Sequence, residues 1–320
     1  MKALCFDRFG SPQVLDYRDL PDPQRLPGQA LVSTRAIGLN FADIYRRRGN
    51  YHLTGQPPFI AGYEAAGEVI AADSGSMFRA GQRVAFADSP QANAELVAVP
   101  EDKLIPLPDD IAFDIAAAVL LQGFTAQYLC RDSHPLRAGE TVLVHAAAGG
   151  VGLLLVQIAK LLGARVIGVT SSARKRDAAL AAGADAVALN EQDWPALARE
   201  FSAGKGVDVA YDAVGSALLR TFDAVRVGGH VVFYGMAGGD PPAIDPRMLM
   251  DTSKSLTGGD LWNVLTDSHE RRSRSAQLFG WIRSGRLHVE IAARYPLAQG
   301  AAAHEFLESR NALGKVLLIP

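Results

Sequence analysis

The most constraining feature of this 320-residue sequence is the stretch TVLVHAAAGGVGLLLVQIAK at residues 141–160. A short apolar run rich in β-branched residues passes through a turn of small residues into a longer apolar segment. This pattern indicates a buried strand followed by a helix. Against the GxGxxG pattern of dinucleotide-binding turns, Ala147 replaces the first glycine, while Gly149 and Gly152 hold the second and third positions. Such a turn lets the backbone approach a pyrophosphate at the positive end of the helix dipole. The alternative is a tight turn in an α/β protein that binds no nucleotide.

The order of elements along the chain predicts two kinds of structure. The first 120 residues are rich in strand and turn signals, with no long helix before Asp114, which predicts an all-β module with short helices. From Gly139 onward strands and helices alternate, which predicts βαβ units and a parallel sheet. The predicted strands are TVLVHAA, RVIGVT, AVALN, VDVAYDAVG and HVVFYG, and LLRTFDAVRVGG is predicted as a helix. SLTGGDLW is predicted as the last edge strand, followed by a helix around 270–284 and a final strand, KVLLIP.

The residues that follow the second predicted strand bear on the choice of nucleotide. An acid about twenty residues after the glycine turn would accept hydrogen bonds from the ribose of NAD. Here the segment VIGVTSSARKRD offers Ser171, Ser172, Arg174 and Lys175 instead. Hydroxyl donors and cations suit a 2′-phosphate, because charge-assisted contacts to phosphate are strong. The segment therefore predicts NADP(H), and the alternative is that the two cations form an ordinary solvated helix face.

Composition narrows the remaining function classes. The net charge of −2 provides no electrostatic reason to expect a nucleic acid or an anionic membrane as partner. The two cysteines, Cys5 and Cys130, cannot form a disulfide framework or a four-thiolate metal site. The start at Met1 lacks a long apolar segment, and the apolar run at 150–164 contains Gln157 and Lys160. We expect a protein of the cytoplasm with no nucleic-acid partner and no membrane partner.

Several motifs together resemble one known family. GETVLVHAAAGGVGLLLVQIAK, GLNFADIY, GYEAAGEV, LLQGFTAQYL, YDAVG and ESRNALGKVLLIP closely resemble the zinc-independent NADPH:quinone oxidoreductases. These form the zeta-crystallin-like branch of the medium-chain dehydrogenase/reductase superfamily. The resemblance implies an α/β fold with a Rossmann doubly wound parallel sheet at 123–260. It also implies a GroES-like, β-barrel-type catalytic domain at 1–122 and 261–320, with the nicotinamide reaching into the cleft. A homodimer through Rossmann edge strands is implied too, with SLTGGDLW as the edge.

The resemblance also implies that no metal is bound. Metal-dependent relatives carry a GHE motif, and the corresponding residues here are Gly62, Tyr63 and Glu64. Asn40 occupies the position of their catalytic cysteine, and residues 90–110 contain none of the cysteines of a structural zinc lobe. Zinc needs three or four Cys, His or acidic ligands. We therefore expect hydrogen-bond donors to stabilise the charge that develops on the substrate oxygen.

The candidate site residues follow from the segments that resemble the family. The candidate catalytic donors are Asn40, Tyr45, Tyr51 and Thr125; a tyrosine, with a reference pKa of about 10, can donate at neutral pH. The alternative for each tyrosine is a pocket wall or a packing residue. The candidate cofactor-binding residues are Ala148, Gly149, Gly150 and Val151 at the phosphate turn, Ser171, Lys175 and Arg310 at the 2′-phosphate, Asn190 near the adenine, Val214 near the nicotinamide ribose, and Tyr234, Gly235 and Met236 around the nicotinamide amide. The sequence departs from the family pattern at two places. Asn190 stands where relatives often have a tyrosine, and the segment MAGGDPP lacks the serine that usually follows the nicotinamide loop.

These features lead to one expected function and two alternatives. We expect NADPH-dependent, zinc-independent reduction of quinones, or of related enones, by hydride transfer from nicotinamide C4. The first alternative is an NADPH-dependent reductase of alkenal or 2-enoyl thioester double bonds. The second is a non-catalytic, crystallin-like protein that binds NADPH. The expected partner is a small-molecule quinone or enone.

Overall fold

The computed structural model describes residues 1–53 and 55–320, which divide into two compact units. The β-rich unit comprises Met1–Leu121, Leu265–Gly280 and Val289–Pro320. The α/β unit comprises Gln122–Val264 and Trp281–His288. The domain boundaries stated above, at 122/123 and 260/261, stay a prediction.

The described chain forms strands and helices in the following order. The strands are β1 Lys2–Phe6, β2 Asp16–Asp19, β3 Gln29–Leu39, β4 Phe59–Ile60, β5 Glu64–Ala71, β6 Arg83–Ala87, β7 Leu96–Pro100, β8 Ile105–Pro106, β9 Thr141–His145, β10 Arg165–Thr170, β11 Ala186–Leu189, β12 Val207–Asp212, β13 Val225–Phe233, β14 Ser255–Gly258, β15 Ile291–Pro296 and β16 Lys315–Ile319. The helices are α1 Phe41–Arg47, α2 Phe113–Tyr128, α3 Gly150–Leu161, α4 Ala173–Ala181, α5 Trp194–Phe201, α6 Leu218–Ala224, α7 Pro246–Thr252, α8 Ser268–Arg283 and α9 Gly300–Glu308.

In the β-rich unit, strands that are antiparallel except for the parallel pair β15–β16 surround an apolar core. A three-stranded sheet has the order β2-β1-β4, and a larger one has the order β15-β16-β3-β5-β6-β8, with β7 also paired to β3. The central strand β3 alternates buried and half-buried residues at first and is almost wholly buried after Ala36, so its second half lies within the core. The C-terminal strand β16 pairs with β3, with Leu318 opposite Ile37. The last strand of the sequence therefore joins a sheet built mainly from strands β3 to β8.

In the α/β unit, six parallel strands have the order β11-β10-β9-β12-β13-β14. The central strands β9 and β12 are buried along almost their whole length, as expected for strands covered on both faces. Leu143, Ile167, Val169 and Val231 of these strands form a core with Trp194 and Phe222 of the helices. The predicted α/β fold class, a parallel Rossmann-type sheet together with a GroES-like β unit, is confirmed.

The sequence interpretation placed no element between the helix around 270–284 and the final strand, where the structure has β15 and α9. Two other local predictions also differ from the structure. The helix predicted over LLRTFDAVRVGG ends at Ala224, and residues 225–229 already belong to β13. β-branched Val225 and Val227 favour strand backbone, and Gly228 takes a positive φ of 68°. The sequence interpretation also missed α7, which begins with Asp245 accepting from the Arg247 N–H and Pro246 in the first turn.

One helical segment meets the length and composition of a membrane span. Helix α2 continues through a π-helical turn, so that helix covers residues 113–133, with a mean hydropathy of 1.2 in its most apolar window. In that window 78% of the residues are buried inside the protein. The core helix of a folded domain meets the same criteria, so the segment is weak evidence for a membrane partner.

Candidate functional site

The candidate nucleotide site lies at the carboxyl ends of the parallel strands in the α/β unit. From β9 the chain proceeds outward to β10 and β11 and then crosses to β12 on the other side. Counted from β9, the strand order is 3-2-1-4-5-6, and the direction of winding reverses between β9 and β12. Open α/β sheets bind their ligands at this switch point. The loops that follow β9, β10, β12 and β13 carry most of the predicted cofactor residues.

The phosphate turn has the close packing that the glycine pattern predicts. A Cβ atom added to Gly152 would overlap the Ala146 carbonyl oxygen and lie 2.8 Å from the Ala147 Cα, both backbone atoms. Gly149 is the N-cap of α3 and has no side chain to cap the helix, so the N–H groups of the first turn point away from the helix without an intrahelical acceptor. A twelve-residue helix that begins this way presents backbone donors and a positive dipole end to an anion. The turn therefore fits a pyrophosphate.

The replacement of the first glycine by Ala147 is compensated on the neighbouring strand. Ala147 is fully buried, and Ala146 before it takes a positive φ of 49°. The Ala147 methyl lies 2.9 Å from where a Cβ would stand on Gly168 of β10. Because position 168 has no side chain, the extra methyl fits between β9 and β10. The departure from GxGxxG therefore leaves the turn intact.

The ribose end of the site lies where β10 runs into α4. Ser172 is the N-cap of α4, and its hydroxyl accepts from the Lys175 N–H at 3.4 Å, which leaves the exposed Ser171 as the other hydroxyl of this turn. Lys175 is half-buried, whereas Arg174 is exposed. The Asn190 N–H donates to the Thr170 carbonyl at 2.8 Å, so Asn190 lies next to this turn. Ser171 and Asn190 thus both lie beside Thr170, with Lys175 in the first turn of α4, and no carboxylate occurs from Thr170 to Arg176.

The loops after β12 and β13 form the opposite side of the switch point. The Gly238 N–H donates to the Val214 carbonyl at 2.8 Å, and the Ala237 N–H donates to the Ala213 carbonyl at 3.0 Å. A Cβ on Gly235 would lie 3.2 Å from the Ala213 carbonyl oxygen, so the two loops pack backbone to backbone. Tyr234, Gly235 and Met236 are all half-buried. The structure brings the residues predicted for the nicotinamide end into one pair of loops.

In the β-rich unit, Asn40 belongs to a buried charged cluster. Its amide nitrogen donates to Glu64 at 2.9 Å and to the Gly38 carbonyl at 3.3 Å, while Lys315 donates to its oxygen at 2.8 Å. Lys315 also donates to Glu64 at 2.6 Å, and both side chains are at most 1% exposed. The ammonium group can only donate, so it fixes which way the Asn40 amide faces. Both amide hydrogens of Asn40 thus face protein acceptors. The role of Asn40 as a hydrogen-bond donor to substrate stays a prediction.

Tyr45 and Tyr51 share an aromatic cluster around Arg46. Their rings meet edge to face with centroids 6.3 Å apart. The Arg46 guanidinium lies 5.0 Å from the Tyr51 ring centroid and 3.4 Å from that of Tyr63. Burial raises the pKa of Tyr63, and the Arg46 charge opposes that shift. Both candidate tyrosines are half-buried, so they can take part either in packing or in proton donation.

The acid next to this cluster is also buried. Asp43 accepts from the Asn40 N–H at 2.9 Å and lies 3.4 Å from Arg46. Burial raises the pKa of Asp43, and the charge on Arg46 is the largest effect that opposes this shift. Arg46 in turn donates to the His52 carbonyl at 3.1 Å, which ties the end of α1 to the segment that holds Tyr51.

The remaining two candidates lie in different units. Thr125 is half-buried on α2 in the α/β unit. Arg310 follows α9 in the β-rich unit, where it is exposed and takes a positive φ of 59°. Their predicted contacts with substrate and 2′-phosphate stay predictions.

Within residues 1–53 and 55–320, the structure brings together no group of three or more His, Cys, Asp or Glu side chains that could hold a metal ion. Tyr63 and Asn40 occupy two of the positions at which the resemblance places zinc ligands in metal-dependent relatives. The sequence interpretation did not include Lys315, Asp43 or Arg46 as site residues. A lone lysine at the start of an apolar C-terminal strand was the one available signal for Lys315.

Comparison with known proteins agrees with this description. A zinc-binding dehydrogenase family model matches residues 150–275, and the alcohol dehydrogenase GroES-like domain model matches residues 26–109. The quinone oxidoreductase of Pseudomonas aeruginosa is 40% identical and covers 100% of this chain and 99% of its own length. The 2-haloacrylate reductase of a Burkholderia species is 36% identical, over 99% of this chain and 98% of its own. The crystal structure of Escherichia coli quinone oxidoreductase complexed with NADPH superposes with a TM-score of 0.96 at 36% identity, over 100% of both chains.

A Rossmann-type α/β unit on the same chain as a GroES-like β-rich unit defines an oxidoreductase of the alcohol dehydrogenase type. The full-length similarity narrows this class further. The chain belongs to the quinone oxidoreductases of the medium-chain dehydrogenase/reductase superfamily. The predicted family, enzyme class and cofactor are confirmed at the level of the family.

Proposed function

We propose that this protein reduces quinones by hydride transfer from NADPH without a metal ion. The observation that supports the proposal is the ribose end, where Ser171 and Lys175 follow β10, Asn190 lies beside Thr170, and no carboxylate occurs from Thr170 to Arg176. A carboxylate at this place would repel a 2′-phosphate, whereas the ammonium of Lys175 attracts it. NADPH-bound relatives of the same fold support the assignment.

Reduction of a quinone by NADPH requires the protein mainly to bind and orient the two reactants. NADPH, when bound, supplies a hydride from nicotinamide C4. A quinone that accepts a hydride becomes a hydroquinonate, whose negative charge is delocalised, and a proton from water completes the hydroquinone. Hydrogen-bond donors such as Tyr45, Tyr51 and Thr125 would stabilise the oxygen as charge develops on it. Orientation of the two rings would supply much of the remaining rate enhancement.

Two further proposals concern the protein's setting. We propose a homodimer formed through β14, which is an edge strand of the parallel sheet among the residues that the structure describes. We also propose that the protein works in the cytoplasm on a small-molecule substrate.

The proposed function is tested by steady-state turnover of a simple quinone with NADPH and with NADH. We expect kcat/KM to be at least about tenfold higher with NADPH, since one charge-assisted contact is worth about 1.5–3 kcal/mol. Treatment of the enzyme with a chelator should leave the rate unchanged. Equal efficiency with both cofactors, or a rate abolished by the chelator and restored by zinc, would contradict the proposal.

A second candidate function, reduction of an activated carbon–carbon double bond, is favoured by one relative and one residue. The 2-haloacrylate reductase is 36% identical over nearly the full length, and its name indicates an activated alkene as substrate. The Tyr51 ring lies beside the Arg46 cation, and a tyrosine, with a reference pKa of about 10, is protonated at neutral pH. Reduction of an enone ends with protonation of carbon, so it needs an acid more than quinone reduction does.

The variant Tyr51→Phe distinguishes the two functions. If enones are the substrate, we expect kcat with an enone to fall by about 10²-fold or more, while quinone turnover changes little. Tyr17→Phe is the matched control, because Tyr17 is another half-buried tyrosine of the β-rich unit and lies on β2. Unchanged enone turnover in Tyr51→Phe rules out Tyr51 as the acid. NADPH binding without turnover of any quinone or enone would instead support the non-catalytic, crystallin-like alternative.

A further inference from the structure

Asp212 is the last residue of β12, and its carboxylate is fully buried directly beneath the loop that carries Val214. One carboxylate oxygen accepts two backbone N–H groups, from Val214 at 2.7 Å and from Gly215 at 3.1 Å. The Asp212 carbonyl accepts from the Tyr234 N–H at 2.9 Å. One residue therefore holds both loops of the predicted nicotinamide end.

The other carboxylate oxygen of Asp212 is held by a buried chain of two hydrogen bonds through Thr221 and His145, called the relay below. It accepts from the Thr221 hydroxyl at 2.8 Å. The same hydroxyl lies 3.0 Å from Nε2 of His145, the last residue of β9 before the phosphate turn. The Thr221 hydroxyl also lies 3.1 Å from the Ala217 carbonyl, but the shorter contact is to the charged Asp212 carboxylate. A hydroxyl has one hydrogen to donate, so with Asp212 as its acceptor it accepts in turn from the His145 N–H.

The relay keeps a fixed direction. Burial lowers the pKa of His145, and the Arg220 charge also lowers it while Asp212 opposes the shift, so the imidazole stays neutral at ordinary pH. The ring packs edge to face on Trp194, with centroids 4.9 Å apart and an interplanar angle of 90°. Asp212, Thr221 and His145 are each at most 2% exposed. Water therefore does not compete for these hydrogen bonds, and the carboxylate orientation is set by protein groups alone.

We propose that Asp212 is a positioning residue for hydride transfer, which fixes the loop around Val214 and thereby the nicotinamide end of the cofactor, and that Thr221 and His145 hold its carboxylate in place. The inference rests on the proposed function in one respect, the use of NADPH. It assigns no contact between Asp212 and substrate or cofactor. We expect its effect to be greatest at the nicotinamide end, because Asp212 accepts from the Val214 loop, whereas the 2′-phosphate end lies after β10 and shares none of these hydrogen bonds.

The test compares two ligands, NADPH and 2′-phospho-ADP-ribose, which lacks the nicotinamide. In Asp212→Asn we expect the Kd for NADPH to rise at least about tenfold and kcat to fall, while the Kd for 2′-phospho-ADP-ribose stays within about twofold of wild type. Asp208→Asn is the matched control. Asp208 lies near the other end of β12 and bonds the Thr141 N–H at 2.7 Å and Arg226 at 2.8 Å, so neither Kd should change.

A second pair of variants keeps the test decisive if Asp212→Asn does not fold. Thr221→Val removes the hydroxyl and should shift NADPH binding in the same selective way, whereas Thr221→Ser keeps the hydroxyl and should restore it. Equal losses for both ligands in Thr221→Val, or no loss for either, would overturn the inference. Failure of the wild-type protein to bind NADPH would overturn the proposed function instead, so the two failures are distinct.

Discussion

At the scale of single residues, the β-rich unit buries ionisable groups whose protonation depends on folding. His304 on α9 is fully buried, and burial, with a smaller effect of the Arg47 charge, lowers its pKa to about 3. An unfolded histidine has a pKa of about 6.5. Between these two values the unfolded chain binds one more proton than the folded protein does. This histidine therefore contributes stability above about pH 6.5 that is lost progressively as the pH falls toward about 3.

This difference predicts a measurable pH dependence. Between about pH 7.5 and about pH 5.5, His304 should lower the free energy of unfolding by about 1.3 kcal/mol. Urea unfolding of the wild type and of His304→Leu at several pH values gives the free energy of unfolding of each protein against pH. The difference between the slopes of these two profiles is the contribution of His304. The variant should lose less stability on acidification, whatever its stability at neutral pH. Parallel pH profiles would contradict the assignment of a neutral buried imidazole.

Residue-scale predictions from sequence draw on neighbours that are close along the chain. The close packing of Gly152 is confirmed, and it depends on Ala146 and Ala147 of the same turn. The 2′-phosphate hypothesis rests on Ser171 and Lys175, also neighbours in sequence, and it stays a prediction. The partners of Asn40 could not be found this way. Glu64 and Lys315 are separated from each other by 251 residues, and they meet because β16 and β5 both pair with β3.

At the scale of elements, the strand–turn–helix from β9 to α3 is the unit on which nucleotide binding depends. Gly152→Ala would drive a methyl into the backbone at Ala146 and Ala147, where no side-chain rotation relieves the overlap. Overpacking of this kind costs about 1–3 kcal/mol. We expect that loss in the free energy of unfolding, together with a weaker affinity for NADPH, measured by urea unfolding and by titration.

The control for this prediction is the same substitution on another helix. Gly280 is exposed on α8, and nothing lies within 4 Å of an added Cβ. Gly280→Ala should leave NADPH binding unchanged and stabilise the protein by up to about 1 kcal/mol, because alanine has the higher helix propensity. If Gly152→Ala behaved like Gly280→Ala, the close packing of the turn would be wrong.

Most elements were predictable from periodicity, and the exceptions have physical reasons. Strands β9 to β12 and helices α3 to α5 follow apolar patterns bounded by glycine or polar caps. The end of α6 was misplaced, because Leu218–Ala224 continues directly into β13 without a turn residue between them. Helix α7 was missed because its seven residues are mostly half-buried or exposed and carry little amphipathic signal.

At the scale of the whole molecule, the chain builds two compact units from interrupted segments. The β-rich unit takes its last strands from residues beyond 288, and β16 joins the sheet beside β3. Periodicity predicts the individual strands, but strand neighbours that lie far apart in sequence are decided by packing. The resemblance to a known family supplied that long-range information, and the match of relatives over the full length of the chain agrees with it.

The central claim for the whole molecule is that the basic ribose end selects NADPH over NADH. Titration of the wild type with each cofactor, followed by Lys175→Ala and the control Arg176→Ala, measures this most directly. Arg176 lies on the same helix, is exposed and pairs with Asp177 at 3.0 Å. We predict that the wild type prefers NADPH at least about tenfold, that Lys175→Ala removes most of this preference by weakening NADPH alone, and that Arg176→Ala leaves it intact. Equal Kd values for NADPH and NADH in the wild type would contradict the account.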